Sequence, residues 1–294
     1  MYSGRHVKRV IINADDFGLS PGVNRGILAA FREGILSSTT MLVNLSHFDE
    51  AVSLAVANPD LPVGIHLSLL WGAPVSAPAA VPSLVERNGL FPRSLTVLAR
   101  RYFSGRLRGE DVRREFRAQI DRFRRAGLTP THVDTHKHVH CLPGVLDALT
   151  EVAGELGIRR VRLPFEDGIE RRNRTEIFPA PRRSLKARLK SRVVGYLCRN
   201  GRSTLAQRGL QTTDHFVGIG DMDGLDADTL RFILGNLREG ITELMCHPGY
   251  DDEFAREYSG APPHRETELA ALKDVTVREY LEARGVELID YNDL

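Results

Sequence analysis

The run Thr131-His132-Val133-Asp134-Thr135-His136-Lys137-His138-Val139-His140 places four histidines and one aspartate at every second position. In an extended chain alternate side chains share a face, so all five would point the same way. Unneutralised imidazoles stacked on one face pack poorly in a core, so this spacing favours metal binding or proton transfer. The set is too long for one ion, because i and i+2 side chains lie roughly 6.6 Å apart along a strand. One or two of these residues are expected to bind metal, while the others line a substrate cleft or support the ligands.

Three more clusters carry similar chemistry. Val10-Ile11-Ile12-Asn13-Ala14-Asp15-Asp16-Phe17-Gly18 is an apolar run ending in paired carboxylates and a glycine. Val63-Gly64-Ile65-His66-Leu67 holds one histidine inside an apolar run, and Leu244-Met245-Cys246-His247-Pro248-Gly249 ends at a histidine followed by chain breakers. Each reads as a buried strand with a polar end, the way α/β barrels assemble active sites at the C-terminal ends of their strands. Asp15 and Asp16 are neighbours, so a regular strand would send them to opposite faces. If both serve one site the strand must end there, and Gly18 would permit the turn. One carboxylate could bind a divalent ion while the other takes a proton from metal-bound water. Two histidines and one carboxylate leave coordination positions open, as catalytic sites require. His247, across the cleft, is the natural candidate to protonate a leaving group.

The elements that must position these residues alternate between strand and helix. Strands are expected at Val7–Asn13, Thr39–Asn44, Pro62–Leu69, Arg160–Leu163, Phe216–Ile219, Ile241–Cys246 and Val286–Tyr291, besides the histidine run. Helices are expected at Ser20–Gly34, His47–Ala57, Asp111–Ala126, Pro143–Leu156, Asp226–Glu239 and Glu266–Arg284. Ser20-Pro21 supplies an N-cap and first turn, and Gly34 a stop. Trp71 to Phe91 is a Pro/Ala-rich loop without period, read as part of a cleft-side insertion near 71–109. Repeated βα units imply a parallel sheet with helices outside it, here one barrel-sized domain over 1–294.

Bulk composition narrows the class. At 294 residues, 42% hydrophobic and a net charge of +2, the chain has the make-up of a globular protein with no global attraction to nucleic acid. Cys141, Cys198 and Cys246 show no paired spacing, which argues against a disulfide scaffold or zinc finger and fits a reducing, cytoplasmic compartment. No apolar run reaches membrane-spanning length, and the first residues lack a signal-peptide core. The segment 171–208 departs from the average, with twelve Lys/Arg against the single acid Glu176. Leu185, Leu189, Val193, Val194 and Leu197 recur there at helical spacing. The expected reading is a helix packed on the barrel or on a second subunit, a homodimer. The alternative is a basic amphipathic helix on a membrane surface or an anionic glycan.

The motifs Asn13-Ala14-Asp15-Asp16-Phe17-Gly18, Gly64-Ile65-His66-Leu67, Pro130 through His140 and Met245-Cys246-His247-Pro248 resemble the signatures of the YdjC-like carbohydrate deacetylases, which include the chitooligosaccharide deacetylases. The likeness runs from the first strand to Leu288-Ile289-Asp290-Tyr291. It implies a (β/α) barrel of the glycoside hydrolase/deacetylase type and metal-dependent removal of an N-acetyl group from an amino sugar or N-acetylated oligosaccharide. Carried over by position, it implies Asp16, His66 and His136 as ligands of one divalent ion (magnesium, zinc or manganese) and Asp15 as general base. His247 would be the general acid or the group stabilising the oxyanion, and His132, Asp134, His138 and His140 would line the cleft or support the ligands. The match weakens at 71–109 and in the basic segment, where substrate choice is expected to reside. Some relatives accompany hopanoid or other lipid biosynthesis, which adds a lipid-linked amino sugar to the candidate substrates. Two rivals remain on the residues alone. A glycosidase would use Asp15 and Asp134 as its carboxylate pair, with a separation of about 5–5.5 Å or 6.5–9.5 Å across a sugar cleft. A non-catalytic metal- or sugar-binding protein would need missing site positions, and every expected position is filled.

Overall fold

The computed structural model describes residues 7–166, 178, 184–219, 224–259 and 264–294. Its centre is β1 (Lys8–Phe17), whose residues from Val10 onward are all buried. β2 (Ser38–Met41), β3 (Val63–Leu67) and β4 (Val133–Thr135) follow on one side of it, and β6 (Gly240–Cys246) and β5 (His215–Val217) on the other. Every pairing is parallel, and the short β7 (Glu287–Leu288) runs beside Arg9 and Val10 of β1. Single bridges join Val133 to Val161 and Arg160 to Gln211, carrying backbone pairing from the β4 edge towards the residues that lead into β5. The sheet thus curves into an irregular (β/α) barrel.

Helices cover its outside: α1 (Pro21–Glu33), α2 (Phe48–Val56), α3 (Leu95–Phe103), α4 (Gly109–Arg125) and α5 (Pro143–Glu155) in the first half, then α6 (Leu185–Cys198), α7 (Gly201–Gln207), α8 (Ala227–Gly235), α9 (Glu253–Ser259), α10 (Arg265–Lys273) and α11 (Val275–Ala283). The Ser20 hydroxyl caps α1 by accepting from the Val23 N–H, with Pro21 in the first turn. The helix expected over 266–284 is two, because the Asp274 side chain accepts from the Thr276 N–H and starts α11 afresh. The 71–109 insertion contains α3 and is held by carboxylates of α4: Glu115 accepts from the Val75 and Ser76 N–H groups, Asp111 from that of Ser83. Residues 171–177 and 179–183 of the basic segment lie outside the described residues. No described helix is long and apolar enough to cross a membrane.

Strand alternation sorts the side chains of β1. Val10, Ile12 and Ala14 join the large apolar cluster shared with Val23, Ile27 and Ala30 of α1. Ile11 belongs to a separate cluster with Ile241, Ile289 and Tyr291. Counting on from Ile11, the inward positions are Asn13 and Asp15 on β1, His66 on β3, His132 and Asp134 at β4, Arg162 at the bridge and Glu243 on β6. The interior therefore grades from an apolar, aromatic floor to a charged rim.

The extended histidine run stops early. β4 ends at Thr135, and Lys137 and His138 take left-handed backbone angles, φ 55° for each. The five alternating residues therefore do not share one face. His132 and Asp134 point inward from the strand, while His136, His138 and His140 are dealt out by the turn that follows.

Candidate functional site

Asp15 and Asp16 reach one site through a bulge. The β1–β2 register steps from Ala14↔Thr39 to Phe17↔Met41, so three residues on β1 span two on β2. The extra residue is taken up with Asp16 at φ 72°, a conformation that aspartate tolerates better than most residues. The strand continues through both aspartates to Phe17. Gly18 follows at φ 90°, where a Cβ would lie 2.7 Å from the Leu42 carbonyl oxygen.

Around Asp16 three donors converge. Its Oδ1 lies 3.8 Å from His66 Nε2 and 3.5 Å from His136 Nδ1, and the two imidazoles stand edge to face with centroids 5.5 Å apart. Asp16, His66 and His136 each offer one ligand atom within 4.8 Å of the others, all three residues being buried. The remaining polar atoms of these three residues are already engaged. His66 Nδ1 is 2.6 Å from Asp134 Oδ1, the Tyr258 hydroxyl is 2.9 Å from His136 Nε2, and Arg265 donates to Asp16 Oδ2 at 2.7 Å. Asp16 Oδ1 is buried with no hydrogen-bond partner among the described residues. An orphaned carboxylate oxygen facing two imidazole nitrogens whose rings are oriented from behind is a donor set that fits a divalent cation. The local charge agrees. Burial alone would lower the His66 pKa, yet Asp134, Asp15 and Asp16 raise it to about 9. His136 goes the other way, to about 4, because burial outweighs Asp16.

Asp15 sits beside this cluster in a different setting. Arg162 donates to both of its oxygens, at 2.8 and 2.7 Å, and Asn13 and Thr40 bond Oδ1 at 3.0 and 3.3 Å. Burial pushes the Asp15 carboxyl up, but Arg162 and His66 overcome it and hold the group well below the usual carboxylate range. Arg162 is itself fully buried and also pairs with Asp134 and Glu243, so three carboxylates divide one positive charge. Arg162 bridges Asp15 and Asp134, and one ligand atom each of Asp15, His66 and Asp134 lie within 4.8 Å of one another, closer than the separation of about 5–5.5 Å or 6.5–9.5 Å in a glycosidase carboxylate pair.

His247 follows the end of β6, half-buried. Its N–H donates to Glu268 Oε2 at 2.6 Å, and its carbonyl lies 3.5 Å from the Arg265 guanidinium. Burial lowers its pKa to about 4 against the pull of Asp16 and Asp15, so the imidazole is neutral at pH 7. The other sequence-derived residues scatter. His132 lies on the floor, stacked on Tyr291 with centroids 3.5 Å apart and planes 8° from parallel, in the space that Gly64 leaves open. His140 is fixed between the Thr135 hydroxyl, 2.6 Å from Nδ1, and the Arg162 carbonyl, 3.0 Å from Nε2. His138 packs edge-on to Phe216. Asp134 bridges His66 and Arg162.

Arg162, Arg265, Glu243, Glu268 and Tyr258 escaped the sequence reading. Arg162 alone left a trace, as a charged residue between Val161 and Leu163 in the expected strand Arg160–Leu163, where the structure forms only isolated bridges. Tyr258 leads outward from the cluster: its ring lies 5.0 Å from His136 and 5.1 Å from Trp71, and the Arg93 guanidinium sits 4.4 Å over the Trp71 ring.

A parallel (β/α) barrel carrying two histidines and an aspartate at its strand ends defines the class of the molecule. Family comparison gives the narrower answer: residues 9–283 match the YdjC-like protein model, and the chain belongs to that family. It is 38% identical over 284 residues to a carbohydrate deacetylase of Geobacillus stearothermophilus, covering 96% of each chain. It is 33% identical to a mouse protein of the same name, covering 97% of this chain and 94% of the relative. A crystal structure from Enterococcus faecalis V583, of a protein provisionally named for cellobiose-phosphate cleavage, superposes with a TM-score of 0.76 at 28% identity and 98% coverage of both chains.

Proposed function

We propose that the chain is a metal-dependent deacetylase of N-acetylated carbohydrate, with Asp16, His66 and His136 holding the ion, Asp15 as general base and His247 facing the developing oxyanion. The observation that carries this reading is the convergence of three buried donors beside a separate, Arg-paired carboxylate. The relatives named as carbohydrate deacetylases, similar over nearly their full length, support the substrate class. A divalent ion in this site would lower the pKa of a bound water and polarise the acetamide carbonyl. Two imidazoles and one carboxylate take zinc readily and admit manganese or magnesium.

The protein's own residues do the rest. Asp15 stays ionised and is oriented by Arg162, which donates to both of its oxygens, so the carboxylate is held as a positioned acceptor for the proton of the attacking water. Neutral His247 still carries one N–H, which suits hydrogen bonding to an oxyanion. Asp134 accepts from His66 Nδ1–H, which leaves Nε2 to give up its proton and hold the ion. Trp71, half-buried beside the Tyr258 that bonds His136, is an aromatic side chain against which a sugar could pack. Mass spectrometry of N-acetylated oligosaccharides incubated with the protein tests the reading: loss of one acetyl mass, abolished by chelator and restored by added metal, is expected. Shortened oligomers with acetyl groups intact would refute it in favour of a glycosidase.

A further inference from the structure

We infer that α6 is an interfacial helix that seats the protein on an anionic lipid surface, next to the open end of the barrel. The buried side of the helix is anchored. Ser191 donates to Glu166, which in turn accepts from the Gly218 N–H, and the Cys198 and Cys141 sulfurs are 2.8 Å apart. These contacts fasten α6 beside the turn 136–141 that carries His136.

The outward side does not look like an ordinary solvated face. Leu185, Leu189, Val193 and Tyr196 recur at i, i+4, i+8 and i+11, one strip along a helix of 3.6 residues per turn. They are 84%, 62%, 50% and 63% exposed. Arg188, Arg192 and Arg199 fall one position to one side of that strip, and exposed Lys190 falls on the other. The outermost line of the helix is thus apolar, and cations flank it. From Ser184 to Arg208 the sequence contains seven Lys/Arg and no Asp or Glu. A helix lying in a lipid interface has this arrangement, with apolar residues in the acyl boundary and long basic side chains reaching back to anionic headgroups. A second copy of the chain fits less well. A two-fold contact through α6 would set each basic flank against its own like, with no acid on the helix to offset it.

Vesicle flotation with the full chain tests this without reference to turnover, so it stands or falls separately from the deacetylase reading. The protein is expected to float with vesicles containing phosphatidylserine, not with phosphatidylcholine alone, and binding should fall as salt rises. Arg188→Gln with Arg192→Gln should weaken partitioning by about 30-fold, following from the value of each basic residue near such a surface. Leu189→Glu should abolish it, with circular dichroism and melting temperature unchanged because the side chain touches solvent. Absence of binding to phosphatidylserine vesicles, or equal binding to neutral ones, overturns the inference. So does light scattering that finds a dimer which Leu189→Glu dissociates, since that identifies the strip as a subunit interface.

Discussion

The floor and the rim of the barrel interior come from the same strands yet differ completely in character. On β1 the inward side chain changes from Ile11 to Asn13 to Asp15 within four residues; on β6 it changes from Ile241 to Glu243 within two. At β4 both levels use histidine. His132 is pressed flat on Tyr291, which itself clusters with Ile11, Ile241 and Ile289, whereas His136 faces Asp16 Oδ1. Burial pushes both pKa values down, so charge does not separate them. Height along the barrel axis does. Catalytic groups in this architecture sit at the C-terminal rim while lower layers are packing, and a single histidine motif here crosses that boundary.

Replacing each of these histidines should separate the two levels most clearly. His136→Ala is expected to lose the metal, and turnover with it, while the fold survives, because the side chain caps the barrel instead of filling it. His132→Ala should retain metal but lose roughly 2–5 kcal/mol of stability, the range for emptying a large buried site. Elemental analysis beside denaturant unfolding reads both. A stable His132→Ala protein without metal would erase the distinction between floor and rim.

The paired aspartates sharpen the picture within the rim itself. On the proposed roles, Asp15→Asn removes the base and leaves Asp16, His66 and His136 untouched, so turnover should fall about 10²–10⁴-fold with the ion retained. Asp16→Asn should weaken metal binding directly, since Oδ1 is the donor facing both imidazoles. If Asp15→Asn is the variant that loses metal, the two roles are reversed.

Much of this was legible in the sequence because it depends on local period. The apolar run from Val10 and the two-residue alternation up to Thr135 marked these strands, and Ser20-Pro21 marked the start of α1. What escaped depends on backbone angles or distant partners. The histidine run keeps its two-residue spacing past Thr135, but the left-handed Lys137 and His138 end the strand, and spacing alone carries no sign of that. The bulge that brings Asp16 beside Asp15 is equally silent in residue types. Arg265 binds Asp16 from 249 residues away, and nothing in its own neighbourhood marks it. The basic segment split the expectation of burial: Val194 and Leu197 pack against the core, whereas Leu185, Leu189 and Val193 face outward. Helical spacing places Leu185, Leu189 and Val193 on one face but does not say which face meets the barrel, and it is Ser191 and Cys198 that turn inward.

The smallest expected effect concerns the join between floor and rim. The Tyr291 hydroxyl donates to Glu243 Oε2 at 2.5 Å, and Glu243 Oε1 accepts from Arg162 at 2.7 Å, so the floor aromatic supports the arginine that orients Asp15. Burial raises the Glu243 carboxyl above its ordinary value, against the opposing pull of Arg162 and the Tyr291 hydrogen bond. Tyr291→Phe keeps the ring stacked on His132 and removes only that donor. A hydrogen bond to a charged group is worth about 1.5–3 kcal/mol, and the loss should appear in unfolding free energy at pH values where Glu243 is ionised, with metal content unchanged. The sign of its pH dependence follows from linkage. The hydroxyl stabilises the ionised carboxyl, so deleting it raises the folded pKa of Glu243 further and leaves the unfolded value alone. The gap between wild type and variant should therefore be widest above the folded pKa and narrow as pH falls through it, where Glu243 is protonated in both. A gap that stays constant with pH would mean that Tyr291 contributes only packing, and that floor and rim are not electrostatically joined through Glu243.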